Sequence, residues 1–256
     1  MSAVVHREAV MGTIVTFEVR HATRQAVWPA IERAVGWLHW VDATFSPYRH
    51  DSEISRLDRG TLTEADCHRD VRHILALCEG LRAGTNGFFD ARAGGRLDPS
   101  GVVKGWSIER VSEMLTAEGW VDHLIDGGGD IRLHGEAGAD SDWQVGITHP
   151  LRVDAYCAAV HLGAGAVATS GTYERGLHII DPHRGCAAVD LASVTVIGPE
   201  LTMTDAYATA ALAMGTSAPA WLESLVDHEA LVIDTEGRGW ETSGFARYRL
   251  EVSAAA

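Results

Sequence analysis

Asp205 and Thr209 stand four residues apart in TMTDAYATAALAMG, a spacing that sets two oxygen-bearing side chains on one face of a helix. Such a pair suits a hard divalent cation, or it is an ordinary solvated helix face. Lys104 is the single lysine among 21 basic residues. It falls near the start of a helical pattern, where the helix dipole disfavours a cation, so its position asks for a local anion or hydrogen-bond partner, with a solvent-facing side chain as the alternative. Asp130 follows Gly127, Gly128 and Gly129 and can accept hydrogen bonds from a ligand or from neighbouring amides. Asp98 precedes Pro99-Ser100-Gly101, where it can cap the following helix, a role that does not exclude contact with a ligand. Tyr48 and Glu53 lie in the polar, turn-rich TFSPYRHDSEISRLDRG, read either as an ordered loop facing a ligand or as a surface turn.

These residues need elements to hold them. EAVMGTIVTFEVR reads as a strand, followed by a long helical pattern through Val27, Ile31, Val35, Leu38 and Val41. Glu64 to Arg82 predicts an amphipathic helix with Val71, Ile74, Leu75, Cys78 and Leu81 on its apolar stripe. The segment after Pro99 predicts another, burying Val102, Trp106, Val111, Met114 and Leu115. VDHLIDGGGDIRLHG reads as strand, glycine turn and strand, with further strands at WQVGITHP, YCAAVHL, AVATS, GLHIID and LASVTVIG. A short helix and terminal strands finish the pattern. Strands concentrated late and helices early predict an α+β fold with a mixed, largely antiparallel sheet core and packed helices. One compact domain over residues 1–256 is expected, either undivided or as two intimately packed lobes, with 253–256 as a frayed tail.

Composition excludes several function classes. With 35 acidic against 21 basic side chains the formal charge is -14, which argues against broad nucleic-acid binding and against a polybasic membrane anchor. No continuous apolar run predicts membrane insertion, and the amino terminus lacks the pattern of a secretory signal, so a cytoplasmic location is expected, or an extracytoplasmic one if a targeting segment was removed. The four cysteines, Cys67, Cys78, Cys157 and Cys186, are widely spaced and predict buried thiols instead of a disulfide framework or zinc site. GGGD lacks the lysine and hydroxyl of a phosphate loop and the spacing of a dinucleotide-binding fingerprint.

Taken in order, MGTIVTFEV (11–19), SPYRHDSEISRL (46–57), DPSGVVKGWSIERV (98–111), DGGGDIRLHG (126–135), ATSGTYERGLHIIDPHRG (168–185) and TDAYATAALAMG (204–215) resemble the FAD:protein FMN transferase family, also called the ApbE family. The resemblance extends across nearly the whole chain. It implies an ApbE-like α+β enzyme that uses Mg2+ to transfer the FMN moiety of FAD to a threonine or serine hydroxyl of an acceptor flavoprotein, releasing AMP. It further implies metal ligation by Asp205 and Thr209, with the main chain at Val103 as a third contact and Asp205 as a catalytic residue. His178 becomes the side-chain candidate for the flavin phosphate or for proton transfer, and Lys104 a support for the phosphate environment. Met11 and Tyr48 are candidates to cover apolar or aromatic parts of FAD, Glu53 to meet its nucleotide side, and Asp98 and Asp130 to line the cofactor pocket. Thr169, Ser170 and Gly171 offer donors and backbone freedom to line the flavin; Ser170 alone does not make a hydrolase. A homodimer is left open. An FAD pyrophosphatase releasing FMN and AMP, and a noncatalytic FAD-binding protein, are the competing functions. The stretch FFDARAGGRLDPSG is shorter than the family pattern, which bears on how the cofactor is covered and which acceptor fits.

Overall fold

The structure is a computed structural model and describes residues 3–138, 141–172 and 179–250. Strands β1 (Ala3–Val10) and β2 (Thr13–Arg20) form a hairpin whose two-residue turn, Met11 and Gly12, has φ of 54° and 71°. Two consecutive left-handed residues make the primed turn that matches strand twist. Helix α1 (Arg24–Phe45) follows, burying Val27, Ile31, Leu38 and Val41 as the periodicity predicts. The Ser46–Ser52 loop leads into the short α2 (Glu53–Asp58). The helix expected from Glu64 divides: a 3-10 turn covers Glu64–Asp66, Cys67 and His68 are extended, and α3 runs Arg69–Gly84. The break is stabilised by Glu53 Oε2, which accepts the His68 N–H at 2.7 Å.

Helix α4 (Ser100–Ala117) begins at the predicted turn, then β3 (His123–Asp126) and β4 (Asp130–His134) flank the glycine run. β5 (Trp143–Thr148) and β6 (Tyr156–Leu162) form a separate two-stranded sheet, with β6 bridged at Val160 to Arg249. β7 (Gly165–Gly171) precedes the two-residue β8 (Ile180–Asp181) and β9 (Cys186–Ala187), then β10 (Leu191–Gly198). The first part of the GLHIID strand expectation lies outside the described residues. α5 (Leu201–Met214), α6 (Ala218–Leu222), β11 (Glu229–Asp234) and β12 (Gly239–Glu241) complete the chain, and Phe245–Tyr248 forms a 3-10 turn in place of the expected last strand.

Eight strands form one sheet in the order β1-β2-β3-β4-β7-β10-β11-β12. Every neighbouring pair in it is antiparallel. Alternation along the strands divides two cores. Phe17, Ile125, Ala166, Ala168, Val194 and Val232 face the helices, whereas Leu133, Val167, Ile197, Leu231 and Ile233 face the β5–β6 hairpin and Phe245. α5 is alanine-rich and buried on nearly every side, resting on β7 and β10 with α4 packed across it. Small residues are what let these backbones approach: a Cβ on Gly105 of α4 would stand 2.7 Å from the Leu201 carbonyl and 2.8 Å from Asp205 Cβ. Among the described residues no helix is long and apolar enough to cross a membrane.

Candidate functional site

The α4–α5 crossing and the adjoining ends of β4 and β7 bring the chemistry together. Strand period two puts Asp130 and Arg132 on the helix-facing side of β4, and Ser170 on that side of β7 together with Ala166 and Ala168. Asp130 has no exposed surface; its Oδ1 accepts the Thr169 N–H at 3.3 Å and its Oδ2 forms an ion pair with Lys104 Nζ. The anion required by a lysine at the start of α4 is therefore Asp130, supplied from across the sheet. Asp205, 4% exposed, turns from α5 toward α4, where its Oδ2 accepts the Gly105 N–H at 2.9 Å. One turn further along α5, Thr209 Oγ1 is 3.3 Å from Ser170 Oγ and packs against Gly101, where a Cβ would come within 3.1 Å of the threonine methyl.

This arrangement is electrostatically unbalanced. Burial, and then the neighbouring Asp130 carboxylate, hold Asp205 well above the usual carboxylate range, with Lys104 and the Gly105 amide acting in the opposite direction. Burial likewise raises Asp126, although the Gly129 and Gly128 amides favour its charged form; Asp130 raises it further. Two buried carboxylates facing one ammonium leave room for one more positive charge. Hard oxygens from Asp205 and Asp130, with the hydroxyls of Thr209 and Ser170 close by, fit magnesium better than a softer ion. Among the described residues no group of three or more His, Cys, Asp or Glu side chains is spaced to hold a metal, so hydroxyl, main-chain or substrate oxygens would have to complete the shell.

The other predicted residues separate by position. Val103 is buried in the first turns of α4 with its side chain in the core, which leaves its main chain as the only part available to a ligand. Asp98 Oδ1 accepts the Ser100 N–H at 3.1 Å and so serves the start of α4. Met11 sits in the β1–β2 turn, its sulfur 3.7 Å from Ser107 Oγ, whose hydroxyl donates to the Lys104 carbonyl at 2.8 Å. Glu53 is occupied at the head of α3, and Tyr48 is 81% exposed beneath the Arg96 guanidinium, 4.8 Å from the ring centre. Thr169 and Ser170 point to opposite faces of the sheet: the Thr169 hydroxyl meets Thr195 Oγ1 at 2.9 Å, away from Asp205, and only its amide reaches Asp130. Gly171 ends β7 next to Ser170. His178 lies outside the described residues. Two participants gave no sequence signal, the Gly105 amide and Asp126. A main-chain donor has no side chain to notice, and Asp126 is indistinguishable from a turn residue until the fold buries it.

Comparison with known proteins follows the same segments. The family model described as "ApbE family" matches residues 11–95 and 91–232. A protein of Treponema pallidum (strain Nichols) named FAD:protein FMN transferase is 34% identical over 143 residues, 49% of this chain and 40% of that protein. One of the same name from Escherichia coli (strain K12) is 30% identical over 159 residues, 57% of this chain and 44% of that protein. The chain thus spans less than half the length of these curated relatives. In fold, the crystal structure of the ApbE protein from Thermotoga maritima superposes with a TM-score of 0.85 at 20% identity, covering 98% of this chain and 100% of that one. The flavin transferase ApbE from Vibrio cholerae gives 0.82 at 22% identity, covering 96% and 99%.

Proposed function

The chain belongs to the ApbE family, and we propose that it is an FAD:protein FMN transferase that uses Mg2+ to move the FMN moiety of FAD onto a threonine or serine hydroxyl of an acceptor flavoprotein. The observation that carries this reading is the buried meeting of Asp205, Asp130 and Lys104 beside the Thr209 and Ser170 hydroxyls. Two buried carboxylates beside one ammonium, with two hydroxyl oxygens close by, would suit a divalent ion.

The acceptor hydroxyl oxygen forms a bond to the FMN phosphorus, and the bond from that phosphorus to the bridging oxygen breaks, so that AMP departs with the electron pair. Magnesium, when bound, polarises the phosphoryl oxygens and offsets charge on the leaving group. In this reading Asp205 and Thr209 hold the ion with the main chain near Val103. Burial and the neighbouring Asp130 hold the Asp205 pKa well above the usual carboxylate range, and a cation bound there would favour its ionised form. Lys104 pairs with Asp130 and holds it in place, and contributes positive charge on the phosphate side. Met11, Tyr48, Glu53, Asp98 and Gly171 are proposed to shape the FAD pocket, and His178 to bind the flavin phosphate or to take the hydroxyl proton.

The test incubates the protein with FAD, Mg2+ and a serine- or threonine-bearing acceptor, weighs the acceptor by mass spectrometry and measures AMP with and without it. Acceptor gaining one FMN with equimolar AMP is expected. AMP and free FMN without acceptor labelling would identify a pyrophosphatase instead, and intact FAD would leave only binding.

A further inference from the structure

The Lys104–Asp130 and Gly105–Asp205 contacts are one rung of a two-rung ladder. Four residues along α4 from Gly105, on the same helix face, Glu109 makes the second. Its Oε1 accepts the Arg132 Nε–H at 2.8 Å, and its Oε2 accepts the Leu201 N–H at 2.6 Å. Arg132 is two residues beyond Asp130 and shares its face of β4; Leu201 is one helical turn before Asp205 on α5. Both rungs therefore tie the same three elements together. Arg132 Nη1 also donates to the carbonyls of Leu133 and Gly165 at 2.7 Å each, which fixes the guanidinium to β4 and to the start of β7. Glu109 and Arg132 are 14% and 11% exposed, so the pair is held by geometry with little solvent screening.

The second rung sets the position of α5. Glu200 accepts the Thr202 and Met203 amides at 2.9 and 3.0 Å, and Glu109 takes the Leu201 amide, so the free N–H groups of the α5 terminus are claimed by carboxylates, one of them from another helix. Sliding α5 along α4 breaks the Leu201–Glu109 bond and carries Asp205 away from the Gly105 amide at the same time. We propose that Glu109 and Arg132 are positioning residues for the reaction: they touch no reacting atom, and they hold Asp205 and Asp130 at the separation at which both can act on the phosphate and its cation. This assignment rests on the transferase reading of the neighbouring site.

The test is a double-mutant cycle in the full chain with Glu109→Gln, Arg132→Gln and the double variant, with Arg132→Lys as a milder companion should Arg132→Gln not fold. Glu109→Gln keeps one oxygen for the Leu201 amide and turns an NH2 toward Arg132 in place of the second acceptor, so it opens the Arg132 contact as well as removing the charge. Each single variant is expected to lower kcat about 10- to 100-fold, the range for second-layer partners of a metal site, and to change KM for FAD less than about threefold. The double variant is expected to be no worse than the poorer single one, because either change opens the same rung. Folded single variants with wild-type kcat would overturn the assignment, as would a double variant whose loss is the product of the two. Wild-type protein that cleaves no FAD would instead remove the transferase reading. The cycle is then read on Mg2+ dissociation constants from isothermal titration calorimetry, where unchanged or multiplicative values would overturn the positioning role, and coupled losses of affinity would support it.

Discussion

Gly105→Ala tests the α4–α5 crossing directly. In an exposed helix interior this change stabilises by up to about 1 kcal/mol, because alanine is the better helix former. At position 105 the new methyl would stand 2.7 Å from the Leu201 carbonyl and 2.8 Å from Asp205 Cβ, against 3.4 Å for ordinary contact. The carbonyl belongs to backbone and cannot rotate away, so α5 must withdraw by about the difference of 3.4 and 2.7, roughly 0.7 Å, an overpacking that costs about 1–3 kcal/mol. The same displacement stretches the Gly105 N–H to Asp205 bond from 2.9 Å to about 3.6 Å, beyond hydrogen-bonding range. Net destabilisation of about 1 kcal/mol is expected, lowering Tm by about 2–4 °C in a chain of this size. Turnover should fall further, by roughly tenfold or more, since Asp205 is then misplaced. Gly36→Ala in α1, where a Cβ meets nothing within 4 Å, is the internal control and should raise Tm instead. The assay pairs thermal unfolding with AMP release at saturating FAD. A Gly105→Ala protein that melts at or above the wild-type temperature and turns over within twofold of it would refute the close-crossing account.

Asp205→Asn removes a buried carboxylate that is hard to ionise; turnover should drop at least 100-fold while Tm holds or rises, and a large fall in Tm would contradict the electrostatic reading. Thr169→Val and Ser170→Val should behave oppositely, the first losing about 1 kcal/mol of stability with kcat within about twofold, the second losing turnover, because the two hydroxyls lie on different faces of the sheet. His123 is fully buried, with Nδ1 donating to the Trp120 carbonyl and Nε2 accepting from the Ser112 hydroxyl, and burial pushes its pKa down to about 4. The unfolded chain titrates near 6.5, so its contribution is complete above that pH and is lost as pH falls from about 6.5 to 4, by up to about 3 kcal/mol. Urea unfolding at pH 7.5 and pH 5, in wild type and His123→Gln, checks this; equal pH slopes in the two proteins would rule it out.

Periodicity sufficed wherever one face of an element is apolar. α1, α4 and the strands LASVTVIG and WQVGIT were legible because burial on one or both faces writes itself into alternation or a helical stripe. The Glu64–Arg82 helix was placed too early because Glu64–Asp66 has helical composition, while the Glu53 carboxylate that stabilises the break is distant in sequence. The shared helix face of Asp205 and Thr209 was legible from their four-residue spacing, and so was the oddity of Lys104, from its rarity and its unfavourable place on the dipole. Its partner was not, since the Lys104–Asp130 and Glu109–Arg132 pairs and the Leu201–Glu109 bond are set by how β4 and α5 stack on α4, which no local pattern encodes.

The α4–α5 crossing also bears on the order in which this chain acquires its parts. Gly105 precedes its partner Asp205 by 100 residues, and α5 packs on β7 and β10, which lie between them. Contacts of such long sequence separation form only after the intervening loop has been closed at an entropic cost. A nascent chain that has emerged as far as β7 holds Lys104 and Asp130 but neither Asp205 nor the helix that covers Ala166 and Ala168. Under the proposed function, ligand binding that needs Asp205 waits for this step, and its onset in a refolding experiment will mark the docking of α5 onto β7 and β10.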